Sequence, residues 1–460
     1  MKLLKASVTA ALVGVSVLGM AIAAPVPTQA QGSVPVDVWA LRDVVNAVQI
    51  SPDGKHLLVH KVESRDGDYI LEVYKTDDLS KPLRRLNANP MEIIAAQWVS
   101  NDVIFGSAWQ VNRKTVKGPE EDVRDYKTYS YSLEANKFTS VDGNFGIVNL
   151  LPNDPDNVLV STGTTVGDGT GVDPFAAFRP RSYYKYNLKT GARSLVLRGG
   201  GKFPVVDRWD NEGNPRFTQV QDTAAGTVSS YYRLPGDGEW KKFQEFDLND
   251  PKNLYRILGG FHGIVGFDPD NPNIGYLIEN PNGEDKAGLY EFDFTTGKIG
   301  KKLFHAEDAD VMGIQLHSIP GNDKLVAARY SGRIMERHWF DEDEKALYEA
   351  LEKQIPYSYQ VGISSRSLDG KSMIVTNRGP RDPGSFWLVK DGKLAKLGSR
   401  NPLLNPEQLA DVEYIRYKAR DGRVIPGYVT KPKGTGPFPL IVLPHGGPQV
   451  NEIITFDEWG

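Results

Sequence analysis

The residues of this chain best placed for chemistry are Pro444-His445-Gly446-Gly447-Pro448, close to the end of its 460 residues. They follow a short apolar run, Leu440-Ile441-Val442-Leu443, bounded by Pro439 and Pro444. Such a run predicts a strand buried on both faces, as in a parallel sheet. The glycines let backbone N–H groups come close to whatever binds at the strand's carboxyl end. A preorganised N–H aimed at a tetrahedral intermediate stabilises its localised negative charge by about 3 kcal/mol. The chemistry in view is acyl transfer, with His445 shaping the loop and under no requirement to act as a base. A plain strand-to-loop turn would use the same residues. No nucleophile accompanies them: Gly-x-Ser-x-Gly is absent, and Ser364, with Gly362 two residues before it, has Arg366 two after.

Other candidates are weaker. Asp268, Asp270 and Asn273 resemble a calcium loop, but Pro272 stands where an oxygen ligand is needed and no bidentate Glu follows at the right distance. They read as a turn. The histidines are scattered without a His-Glu-x-x-His spacing, so neither a metal nor any other cofactor is expected. Asp341 to Glu344 form an acidic helix start: Asp341 can cap and Glu344 lies three residues on. Leu347, Ala350, Leu351 and Ile355 make one apolar stripe before Pro356, predicting a helix inserted against the rest of the fold. Gating of substrate, or capture of a substrate's amino terminus by the acidic residues, would be secondary roles.

The elements that must position these residues are legible as repeats. A turn rich in Pro, Asp, Asn and Gly precedes an apolar strand at Ser51-Pro52-Asp53-Gly54-Lys55, at Asn153-Asp154-Pro155-Asp156-Asn157, and at Asp268-Pro269-Asp270-Asn271-Pro272. It recurs at Gly321-Asn322-Asp323-Lys324 and at Leu368-Asp369-Gly370-Lys371. Alternating strands ending in Thr190-Gly191, Thr296-Gly297 and Asp391-Gly392 are hairpin signals. Two hairpins every ~45–55 residues predict four-stranded propeller blades. About seven would begin near residues 45, 92, 146, 201, 256, 311 and 358, the fourth being the faintest. A pair of β-sandwiches would not need this repeat length. Residues 161–181 read as a long glycine-rich loop.

The ends differ from the middle. Lys2 and Lys5, the apolar stretch Ala6 to Ala24 and the small residues after it predict a secretory signal peptide in residues 1–30. Nineteen or so apolar residues could instead anchor in a bilayer, but the Ala-, Gly-, Ser- and Thr-rich run favours cleavage. Cysteine is absent, which excludes disulfides and thiolate metal sites. The expectation is a periplasmic or secreted protein without stable membrane insertion. Net charge is −4, or −6 after loss of residues 1–30, so nothing electrostatic favours nucleic acid. Past residue 400 a proline-punctuated linker leads to a hairpin, Val412 to Tyr417 and Val424 to Val429, and then to the apolar run. The expected organisation is mainly β: a propeller over 40–400, then over 401–460 the incomplete first strands of an α/β-hydrolase domain.

A propeller, a linker, Asp421-Gly422-Arg423-Val424-Ile425-Pro426-Gly427-Tyr428 and Pro444-His445-Gly446-Gly447-Pro448 together resemble the prolyl oligopeptidase family of serine peptidases. The secreted bacterial acylaminoacyl-peptidase and dipeptidyl-peptidase-like branch is the nearest likeness, and Arg381-Asp382-Pro383-Gly384 and Phe456-Asp457-Glu458-Trp459 fit it. The resemblance implies a propeller that filters short peptides toward a hydrolase site, with the Gly447 N–H in the oxyanion hole. The family's Ser, Asp and His, which in α/β-hydrolases follow this loop, match no position here. The chain is therefore expected to be an inactive amino-terminal fragment. The alternatives are an esterase on the same scaffold, or a non-catalytic exported propeller that binds partners. Substrate preference and oligomeric state have no sequence signal.

Overall fold

The computed structural model describes residues 34–113, 123–141, 143, 145–162, 180–253, 263–281, 284–446 and 452–456. Seven antiparallel sheets follow one another along the chain, at 45–86, 92–141, 145–198, 208–247, 263–304, 311–339 and 362–399. Each runs strand to neighbouring strand in sequence order, which is the construction of a β-propeller blade. The fourth, faint in sequence, is complete; its first two strands join through a turn closed by Asp210, which accepts from the Asn214 backbone at 2.8 Å. The sixth has three strands among the described residues and is followed by the helix Glu342–Gln354.

Consecutive blades touch mainly through their first strands, so these line the axis. The second and third strands carry continuous buried runs, such as Leu57 to His60 and Ile70 to Tyr74, because both faces of each blade are covered by a neighbour. Phe105 and Val141 of the second blade pack with Val158, Val160 and Tyr186 of the third. Phe217 and Tyr232 of the fourth pack with Ile264, Leu277 and Phe292 of the fifth. The ring closes in the same manner. Ile374, Phe386 and Leu388 of the last blade bury against Val45, Val48 and Leu57 of the first. Across that seam Val44 N donates to Arg400 O (2.6 Å) and Leu368 N to Pro52 O (2.8 Å), while Arg400–Asp43 and Lys390–Asp77 form ion pairs.

The recurring turn owes its form to one carboxylate and one glycine. Asp53 accepts from Ser51 Oγ (2.6 Å) and Lys55 N (3.1 Å), and Gly54 takes φ +73°. Asp369 repeats this with Ser367 Oγ (2.7 Å) and Lys371 N (3.0 Å), with Gly370 also at φ +73°. A left-handed backbone suits glycine, and the Asp side chain replaces the missing main-chain partner.

Two expectations need correction. Leu440–Leu443 do not form a buried strand: they have no regular structure and are 70–84% exposed. An apolar run becomes a strand only beside another strand that satisfies its N–H and C=O groups, and none lies against it among the described residues. The hairpin Val412–Lys418 with Val424–Thr430 does form, as a separate two-stranded sheet. In the helix, Asp341 caps through Asp343 N and Glu344 N, both at 3.0 Å, but Glu344 does not reach back to complete the box. It turns inward beside Tyr348 and Leu351, and with Ile355 the last of these packs on Val375, Trp387 and Val389 of the last blade. Ala350 is only half-buried. The glycine-rich loop lies almost wholly outside the described residues.

Candidate functional site

His445 and Gly446 stand on an exposed, irregular segment, and Gly447 lies outside the described residues. The oxyanion donor anticipated there thus has no described geometry. Asp268 is a turn residue, accepting from Asp270 N (2.8 Å) and Asn271 N (3.0 Å).

The surroundings of the last blade show how the C-terminal residues are held. Arg381 stacks 4.4 Å over Tyr357, pairs with Glu407 (3.0 Å) and donates Nε to Pro406 O (3.0 Å). It therefore fixes the linker to the blade. Its neighbour Asp382 is buried and structural, accepting from Asn377 Nδ2 (2.7 Å), Ser385 Oγ (2.6 Å) and Gly384 N (2.9 Å). Gly384, at φ +132°, passes so close to Arg400 that a Cβ would lie 2.6 Å from its Cδ. Arg378 Nη2 and Gln360 Nε2 donate to the carbonyls of Phe456 (3.2 Å) and Ile454 (3.0 Å). Phe456 also packs with Leu404 and Leu409 and stacks on Trp39, 6.1 Å between ring centroids. Asp457 to Trp459 lie outside the described residues.

These contacts lie where the first strands begin. At the opposite end, the turns after the first strands of five blades enclose a cavity of about 600 Å³ lined by Gln49, Trp98, Leu151, Ser318, Arg366 and others. Arg366 is the charged centre of that end. It donates Nη1 and Nη2 to Glu344 Oε1 (2.7 Å) and Oε2 (3.2 Å), and both residues are buried. His317 Nε2 lies 3.1 Å from Glu344 Oε1, and its Nδ1 accepts from Ile319 N at 3.3 Å. Arg366 Nη1 lies 3.2 Å from the same Nε2, so the imidazole edge sits between the carboxylate and the guanidinium. Burial lowers the His317 pKa; Glu344 opposes this, and Arg366 reinforces it. Sequence reading missed the trio because residues 317, 344 and 366 have no shared spacing. The only available hint was a Glu on the helix face beside Leu347 and Leu351.

No family model matches the chain. In sequence it is 24% identical over 424 residues to dipeptidyl aminopeptidase BIII of Pseudoxanthomonas mexicana, covering 88% of this chain and 55% of that protein. In structure it superposes on a prolyl endopeptidase with TM-score 0.52 and 12% identity, covering 86% of this chain and 56% of that one. Prolyl oligopeptidase B from Galerina marginata gives a looser fit, TM-score 0.48 at 12% identity over 87% of this chain and 57% of the other. The structural likeness concerns the fold, a seven-bladed propeller. The chain spans little more than half the length of these proteins. It resembles the prolyl oligopeptidase family in both sequence and fold.

Proposed function

We propose that this chain is the propeller-bearing part of an exported serine peptidase of the prolyl oligopeptidase family. What supports the reading is the order of parts: seven blades, a hairpin and then Pro444-His445-Gly446-Gly447-Pro448, in a chain similar in sequence to a dipeptidyl aminopeptidase. The substrates are short peptides, admitted past the propeller. The Gly447 N–H supplies part of the oxyanion hole, and His445 and Gly446 shape its loop. The nucleophile, acid and base belong to residues beyond these 460, so this chain alone does not hydrolyse peptides. No cofactor enters the chemistry. Residues 1–30 direct export and are cleaved, leaving a periplasmic or secreted protein. Among the described residues no helix is long and apolar enough to cross a membrane.

The decisive experiment compares the purified chain with the product of the same gene read past codon 460, using dipeptidyl and acylaminoacyl chromogenic substrates and a fluorophosphonate probe. The chain should be silent in both assays. The longer product should turn over substrate and label at one serine. Turnover by the 460-residue chain would overturn the assignment of the triad, and a stop codon after Gly460 would favour the binding-module reading.

A further inference from the structure

A second cavity, of about 450 Å³, lies between the third and fourth blades and carries a different chemistry. It sits where the first strands of these blades, Phe145–Asn149 and Arg208–Trp209, begin. It therefore opens on the same end of the propeller as the residues that hold Ile454 and Phe456. Two guanidiniums line it. Arg208 is fixed, Nε donating to Ile264 O at 3.2 Å and Nη1 to Asp207 O at 3.0 Å. The Arg181 guanidinium makes no hydrogen bond and no ion pair with any described residue, and its Nε is buried without an acceptor. Trp209 Nε1 is likewise buried and unpartnered.

A half-enclosed cation with no paired carboxylate among the described residues is costly unless something compensates it. Asp207, the carboxyl in the same cavity, does not approach Arg181 closely enough to pair; its side chain accepts from Gln219 N at 2.7 Å. Asp207 itself is exposed to water. Partial desolvation pushes its pKa up, opposed first by the Gln219 N–H and then by Arg208, with Arg181 acting on it more weakly across the cavity. The cavity thus presents two permanent positive charges against one carboxyl. Ile147, Val148 and Val206 add apolar wall, which inorganic anions do not use.

We propose that this cavity binds an organic carboxylate, the carboxyl terminus of a short peptide, with Arg181 as its main partner. Guanidinium and carboxylate are matched forks that bond bidentately. Tyr183 is not free to compete, because its hydroxyl accepts from Val206 N at 2.8 Å and so fixes the wall. The choice of a peptide as the carboxylate rests on the peptidase reading, whereas carboxylate binding itself uses only propeller residues and is measured by binding alone.

Calorimetry at low salt on the full chain tests it, with Ala-Ala-Phe as the free acid, the same peptide as its amide, and inorganic phosphate as probes. The free acid should bind, and the amide should bind at least tenfold more weakly. Arg181→Gln should lose tenfold or more of the acid's affinity with an unchanged circular dichroism spectrum, while Asp207→Asn should bind the acid at least as tightly as the parent. Arg181→Lys should fall between the parent and the glutamine variant, since it keeps the charge and loses the fork. Equal binding of acid and amide, an unaltered affinity in Arg181→Gln, or displacement of the peptide by equimolar phosphate would each overturn the proposal.

Discussion

Substituting Glu344 tests whether the helix Glu342–Gln354 is locked to the propeller by charge or only by its apolar face. Glu344→Gln keeps the shape and one acceptor oxygen but leaves Arg366 as a buried, unpaired cation, its Nε already without an acceptor. Removing one partner of a buried pair costs about 3–5 kcal/mol, mostly as the penalty on the charge left behind. At about 1.4 kcal/mol per tenfold, the lower bound is roughly a hundredfold rise in the opening equilibrium of the helix. Hydrogen exchange read on peptides spanning 342–354 measures this directly, with the strands of the second blade as an internal reference. The exposed Glu342–Lys345 pair is the control, because such surface pairs contribute about 0–1 kcal/mol. Glu342→Gln should leave exchange nearly unchanged. The double variant Glu344→Leu with Arg366→Met removes both charges and should recover most of the loss, since apolar replacements of similar volume are often neutral. Less than a tenfold change in Glu344→Gln, or a double variant no better than the single, would refute the reasoning.

Three further outcomes can be measured alongside it. His317 has a depressed folded pKa, so below the ordinary imidazole value of 6.5 the unfolded state gains the proton first. The stability it shares is therefore whole above pH 6.5 and falls as the pH drops through the folded value. Intrinsic-rate-corrected protection of 342–354 should decline on acidification through this window and should decline less in His317→Asn. Leu440–Leu443 should exchange as fast as an unstructured peptide, and Ile441→Lys should shift stability by less than about 0.5 kcal/mol, as surface changes do. Leu277→Ala, in the core between the fourth and fifth blades, should cost about 2–5 kcal/mol measured by chemical denaturation.

The blades were legible because their signals are local. Asp53-Gly54 and Asp369-Gly370 each fix a turn within five residues, and the apolar runs beside them need only a covering sheet on either face. Observed blade starts at 45, 92 and 311 coincide with the expected ones. The fourth and fifth begin at 208 and 263, some residues later than the turns around them suggested. The helix cap was readable for the same reason, Asp341 acting on amides two and three residues away. The partner of Glu344 was not readable, because Arg366 and His317 come from two different blades and only the ring brings them together. The cation at Arg181 was equally silent, its meaning resting on which residues fail to approach it.

The apolar run at 440–443 was read correctly as strand-forming composition and incorrectly as a strand, and the contrast with the blades explains why. In the blades, a run such as Leu57 to Val59 is bonded edgewise to two strands of its own sheet and covered on its faces by other residues of the ring. The clusters between blades are built from residues 45–397, with the helix contributing Leu351 and Ile355, so the ring completes its own core without the last sixty residues. Residues beyond 400 contribute mainly through Leu404, Leu409 and Phe456, which pack on Val34 and Val38 rather than between blades. Cutting the chain after residue 400 should therefore leave the cooperative unfolding of the propeller nearly intact. Loss of blade protection on that truncation, measured by the same exchange experiment, would show that the hairpin and linker carry part of the ring's stability.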